Sequence, residues 1–322
     1  MKKALIFIFF FLFTLSSYSQ ILPSHQASHY KSSTGAIQGV SATFTSCDAI
    51  RHIGPTQAQV DAEYLGINLE GLVTSSSGIQ LFTVPFSGTF TITAIGATGG
   101  NEGEPTVEVG HPAKITGEFN LTQGEVIKIL VGQHGWKASC RPGWGGGGGT
   151  FVTKNDNSPL VVAGGCGGPH LKPWGVGTHS YQNASLTTTG NRGTGNNQAA
   201  ATNGAGGSGG NGGSGAGLLG NGDVGNNSRS NPCAGVGNHT VPQAFVNGGV
   251  GDGFGGGFGG GGGVTNTYGG VGGGYSGGGG AKSGSPYCGG GGASFNGGAN
   301  QVNILDTNDD FTEADGKVII SW

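Results

Sequence analysis

The sequence predicts an all-β fold, a β-sandwich carrying an inserted bundle of polyglycine-II-type helices. Short runs of strand composition recur between turns, no convincing amphipathic helix appears, and 74 of 322 residues are glycine, about three times the ordinary share. Runs at 79–84, 89–95, 113–121, 126–131, 151–153, 160–163 and 317–322 have strand length and composition. In the second run Phe90, Ile92 and Ala94 alternate with Thr89, Thr91 and Thr93, the pattern of a half-buried strand. Asn155-Asp156-Asn157-Ser158-Pro159 is a turn cluster and makes a hairpin of the two runs beside it.

From 164 to 300 glycine takes over, with 42 glycines in residues 201–300. Such a coil is ordinarily disordered, but 206–217 reads as four successive triplets, Gly-Gly-Ser, Gly-Gly-Asn, Gly-Gly-Ser and Gly-Ala-Gly. A polyproline-II-like helix has three residues per turn and no internal hydrogen bonds. Ser208, Asn211 and Ser214 would then share one edge, and the bare backbone of the other two would need partners on neighbouring segments. Runs 145–149, 255–263, 269–274, 277–280 and 289–292 are the candidate neighbours. Glycine loses more conformational entropy on ordering than any other residue, so this bundle calls for a scaffold or crosslinks.

Lys2 and Lys3 precede an apolar run from Ala4 to Leu15, followed by Ser16, Ser17, Tyr18 and Ser19. That is the plan of a secretory signal peptide over 1–19, too short to span a bilayer. Residues 20–42 read as a flexible mature N-terminus and 43–322 as one glycine-rich domain, with sandwich strands at about 79–163 and 317–322 and the insert at about 164–300. The expected location is secreted, extracellular or at the cell surface, with no membrane span. Only 10% of residues are charged and the net charge is -3, so nucleic acid is not an expected partner. Glycine keeps no strict three-residue period throughout and prolines number 12, which excludes collagen.

No catalytic, cofactor-binding or metal-ligating residue is singled out. Gly277–Gly280 with Ala281, Lys282 and Ser283 lacks the strand and glycine positions of a phosphate loop. Asp306, Asn308 and Asp310 resemble the start of a calcium loop, but Phe311 and Lys317 stand where Gly and Glu are required. No GxSxG or other nucleophile constellation appears, and the five cysteines and eight histidines lack zinc spacing. Trp144, Trp174, Phe245, Phe254, Phe258, Tyr268, Tyr275, Tyr287 and Phe295 are read first as gap fillers between bundle and sandwich, some of them as contact residues. Asn120, Asn183, Asn226 and Asn238 head glycosylation sequons.

Phe44-Thr45-Ser46-Cys47, Gly54-Pro55-Thr56-Gln57-Ala58-Gln59, Val84-Pro85 leading to Gly88-Thr89-Phe90, Ile129-Leu130-Val131-Gly132-Gln133-His134-Gly135, Gly145–Gly149 before Thr150-Phe151-Val152, Pro159–Gly165 and Gly256-Gly257-Phe258 occur in order. The set resembles the extracellular glycine-rich domain of the anaplastic lymphoma kinase and leukocyte tyrosine kinase receptors, over roughly 43–322. The resemblance implies a jelly-roll, TNF-like sandwich with a polyglycine-helix bundle inserted between strands, and a role in binding protein ligands outside the cell. Kinase motifs are absent from the sequence. The family's second cysteine after Gln59 is here Val60, which removes the partner expected for Cys47. Two disulfides are therefore expected among Cys140, Cys166, Cys233 and Cys288, in any of three connectivities, with Cys47 free or intermolecular. The expected function is a secreted, non-catalytic binding or adhesion module for an extracellular protein or surface glycan. The alternatives are a structural or ice-binding polyglycine protein using the Ser208/Asn211/Ser214 edge, and a secreted hydrolase.

Overall fold

The computed structural model describes residues 40–322 except 103–108, 138–142, 170–179, 195–198, 211, 226–238, 266–267, 282–287 and 308–312. The signal peptide, the N-terminal stretch to 39, Cys140, Cys233, Trp174, Asn211, Tyr287, Asn308, Asp310 and the sequons at 226 and 238 lie outside the described residues. In chain order the elements are β1 (Ser41–Phe44), α1 (Gln57–Glu63), β2 (Val73–Ser76), β3 (Ile79–Thr83), β4 (Gly88–Ile95), β5 (Ala113–Leu121), β6 (Val126–Leu130), β7 (Thr150–Lys154), β8 (Pro159–Ala163), β9 (Phe295–Asn296), β10 (Ala299–Leu305) and β11 (Lys317–Ser321). They form two antiparallel sheets, ordered β1-β11-β4-β5-β10 and β2-β3-β6-β7-β8-β9.

All seven runs read as strands are strands, with ends within a residue or two. Four strands and a helix were not anticipated. The first strand begins at Ser41, inside the stretch read as a flexible N-terminus, and Phe295 begins strand structure before the end of the stretch read as insert. Helix α1 is seven residues long with Val60 as its buried residue, too short to give an amphipathic pattern. Its N-cap Thr56 and Gln59 form a reciprocal capping box, a device contributing about 1 kcal/mol. Just past its end, the Tyr64 hydroxyl donates to Gln80 Oε1 at 2.6 Å and accepts from Cys47 Sγ at 3.4 Å, while Gln80 Nε2 donates to the Thr45 carbonyl at 2.8 Å. This buried network ties β1, α1 and β3 together.

The two sheets share a core. Phe90, Ile92, Ala94 and Ile115 from one meet Phe82, Ile127, Ile129, Val152 and Val161 from the other, and Phe44 sits edge-on to Phe82 at 5.3 Å. Leu130, Phe151 and Val162 point the opposite way, into a second cluster with Leu218, Phe245 and Phe258. Hence β7 and β8 are buried on both faces, the reason Pro159-Leu-Val-Val-Ala reads as a continuous apolar run rather than an alternation. The second sheet lies between the first sheet and the glycine-rich segments.

Those segments bond laterally, backbone to backbone. Gly146 N donates to Gly262 O, Gly147 N to Cys166 O, Gly273 N to Gly147 O and Gly165 N to Gly273 O; further out, Gly272 N reaches Gly290 O and Gly290 N reaches Gly279 O. A side chain would block this. A Cβ on Gly145 would overlap the Gly255 carbonyl oxygen. The 206–217 run is not one straight helix with a serine edge: Gly207 N bonds Gly215 O and Gly210 N bonds Gly212 O, so the chain reverses. Ser208 is exposed, whereas Ser214 is fully buried with its hydroxyl on Gly207 O at 2.6 Å. Ser208 and Ser214 therefore do not share the exposed edge on which the ice-binding alternative rests.

Cys166 corrects the disulfide expectation. It is a free, buried thiol whose Sγ donates to Gly110 O at 2.9 Å, and burial pushes its pKa up. Two bridges among Cys140, Cys166, Cys233 and Cys288 would require it. Its own backbone is engaged in the glycine network, Cys166 N on Ala97 O, so it is held by hydrogen bonds where a crosslink was expected. Cys47 is also a free, buried thiol.

Candidate functional site

The most conspicuous local feature is the loop 47–54, between β1 and α1. Cys47, Asp48 and Arg51 have φ of 51°, 55° and 72°, a region costly for residues with a side chain and found where surroundings over-determine the backbone. The surroundings here are glycine-rich. Phe258 N donates to Arg51 O, Gly251 N to His52 O and Gln133 Nε2 to Ile53 O at 2.8 Å. Three successive carbonyls are thus pinned from behind, which turns Ile50 and Ile53 outward at 68% and 54% exposure.

Arg51, exposed between them, lies over Trp136, its guanidinium carbon 4.6 Å from the ring centroid. Trp136 is fixed by its own backbone, N to Gly255 O and O from Gly145 N. The result is a preorganised group of two exposed isoleucines with an arginine and a half-buried tryptophan, the last two being residue types enriched in binding hot spots. On the other side of the loop a cleft of about 280 Å³ is lined by Cys47, Asp48, Ala58, Gln59, Ala62 and Glu63.

Next to this corner, His134 Nδ1 meets Asp315 Oδ1 at 2.6 Å and Nε2 faces Glu313 Oε2 at 3.8 Å. Both imidazole nitrogens face carboxylates, so this histidine primes no hydroxyl or thiol for attack. The Asp315 hydrogen bond holds His134 above the usual histidine pKa against the opposing effect of burial. Burial works against Asp315, but hydrogen bonds from His134 and Ser46 outweigh it and hold its pKa down. A raised histidine stabilises fully below about pH 6.5 and loses that contribution as pH rises through its folded pKa; a lowered aspartate loses its own as pH falls below about 3.8. His52 has the opposite sign: burial lowers its pKa, so its contribution weakens on acidification. The difference between wild type and His134→Gln isolates the pair. Urea midpoints should fall from pH 6 to pH 8 more in wild type than in the variant, and parallel curves would refute the coupling.

A second imidazole, His239, bonds buried Asp252 at 2.9 Å and lies tilted against the Phe254 ring, centroids 4.5 Å apart. Asp252 also accepts from Thr240 N and Phe254 N, which makes it a backbone anchor in the glycine network.

Of the sequence-marked residues, Cys47 opens loop 47–54 and Phe258 backs it through its bond to Arg51 O. Of the nine aromatics, Trp144, Phe245, Phe254, Phe258 and Tyr268 are buried, and Tyr275 and Phe295 stack on each other at 5.0 Å. Asn120 is exposed and accepts from Thr89 Oγ1; Asn183 Oδ1 accepts from His111 N. Asp306 belongs to a backbone pairing, its N on Pro112 O. Only the ends of the loop, Cys47 and Gly54, fall within the stretches that carry the resemblance; the signals in 48–53 are an arginine and two isoleucines before Gly54-Pro55. Among the described residues no helix is long and apolar enough to cross a membrane.

No protein-family profile matches this chain. Over 98 residues, 30% of the chain, it is 37% identical to the leukocyte tyrosine kinase receptor of Mus musculus. The chain spans 11% of that receptor's length.

Proposed function

We propose that this chain is an exported, non-catalytic binding module whose ligand, an extracellular protein or surface glycan, docks on loop 47–54 and Trp136. The carrying observation is the strained loop whose carbonyls are clamped by the glycine-rich segments while Ile50, Arg51 and Ile53 face solvent. Strain held in place by a rigid neighbour is a cost that a ligand clamp explains. The partial likeness to a receptor and the leader-like 1–19 segment support the same reading. In this proposal 43–322 is one glycine-rich domain, its sheets a jelly-roll, TNF-like sandwich and its lateral glycine network a polyglycine-II bundle serving as the rigid backing.

The test is capture from the source organism's surface extract by immobilised wild type and by Arg51→Ala and Ile53→Ser. Loss of a central hot-spot residue weakens binding about tenfold or more. The variants should lose the captured species while keeping the wild-type unfolding midpoint. Equal capture by all three proteins would overturn the assignment of the site.

A further inference from the structure

The two sheets have four edge strands, and three are closed off. On β1 the Asn68 side chain caps the Ser41 carbonyl at 2.8 Å; on β2 Gln57 Oε1 of α1 takes the Ser75 N–H at 2.7 Å; β9 is two residues long. These are ordinary ways of blunting an edge. Strand β10 differs: it has seven residues, six of them exposed, with no charge and no proline, and beyond the register shift between Ala299 and Val302 it is regular through Leu305. Nothing among the described residues is paired along its outer side.

Register identifies what that side offers. Asp306 N bonds Pro112 O, so Asp306, Ile304 and Val302 direct their backbone groups toward β5. By alternation the N–H and C=O of Asn303 and Leu305 point outward. Leu305 packs against the inter-sheet core, which leaves Val302 and Ile304 on the opposite, solvent face at 51% and 46% exposure.

We propose that β10 pairs antiparallel with β10 of a second copy of this chain, joining two five-stranded sheets into one ten-stranded sheet. The strand is self-complementary about a two-fold axis at Asn303. There Asn303 exchanges both backbone bonds with the copy's Asn303, and Val302 and Ile304 of each copy face Ile304 and Val302 of the other as close, non-hydrogen-bonded pairs. An uncharged strand meets no like-charge repulsion in this arrangement, and the isologous contact closes at two copies. The interface is small, so the dimer is weak and concentration-dependent.

Sedimentation velocity of the full chain over a concentration series tests this. Wild type is expected to shift from monomer to dimer with concentration. Asn303→Pro removes the outward donor, at a position where an edge strand tolerates proline, together with the exposed side-chain bond from Asn296 Nδ2 to Asn303 Oδ1, and should stay monomeric with its fold intact. Val302→Lys with Ile304→Lys alters only exposed side chains and should also stay monomeric, keeping the test open if the proline variant does not fold. A wild type that remains monomeric at every concentration, or a dimer that persists in a folded variant, would overturn the proposal.

Discussion

Gly148→Ala is expected to destroy the native fold. The added Cβ would overlap the Phe258 carbonyl oxygen and lie 2.9 Å from Gly259 Cα. The segment has nowhere to move, because Gly148 N is bonded to Gln133 O and its own carbonyl accepts from Ala97 N. Backbone meeting backbone in a fixed network lacks the rotamer adjustments that soften ordinary overpacking, so the cost is about 3 kcal/mol or more. Against a total stability of about 5–15 kcal/mol, soluble yield and urea midpoint should both collapse. Gly88→Ala is the control. Its nearest atom is a Phe86 ring carbon at 3.6 Å, and an ordinary contact of this kind changes stability by about 0.5 kcal/mol or less. Similar midpoints for the two variants would mean that the lateral network is not a stability determinant.

The same rigidity explains which parts of the fold were legible in the sequence. Strands with one buried face and one polar face, such as 89–95, announce themselves through alternation, and the 155–159 turn through its Asn and Pro content. Strand β10 does not: Ala-Asn-Gln-Val-Asn-Ile-Leu is exposed on an edge, so burial never imposed a pattern on it. Helix α1 is seven residues long with Val60 as its buried residue, too short for a helical period, yet its capping signature Thr-x-x-Gln was present to be read. The glycine segments were legible as a group, since bare backbone must find partners, but their pairing was not. Glycine has no side chain to specify a register, so which run bonds which depends on where the sheets deliver their ends. The pairing of Gly207 with Gly215 within one run is a consequence.

The proposed site was the least legible part. The carbonyls of Arg51, His52 and Ile53, beside the positive φ of Arg51, are held by Phe258, Gly251 and Gln133, residues 80 to 207 positions away, and none of these residue types advertises that role. Cys166 was misread for a related reason. A buried thiol bonded to a carbonyl and a half-cystine look alike in sequence, and only the position of Gly110 separates them.

Trp144 provides the second large effect and tests how the glycine network treats a bulky residue. It is fully buried, its N donates to Pro169 O, its carbonyl accepts from Gly270 N, and Lys137 Nζ lies 5.2 Å from its ring centroid. Its indole Nε1 is buried with no hydrogen-bond partner among the described residues. Trp144→Ala should cost about 3–5 kcal/mol, through lost burial and a cavity that pinned backbone cannot collapse into. Trp144→Phe keeps most of the ring and removes the orphan N–H, whose burial carries a penalty of about 1–3 kcal/mol. The two contributions oppose each other, so the phenylalanine variant should lie within about 1 kcal/mol of wild type. Urea denaturation followed by circular dichroism, which does not depend on the tryptophan removed, reads both variants. A phenylalanine variant as unstable as the alanine one would show that Nε1 has a partner, and that Trp144 is retained for its hydrogen bond as well as its volume.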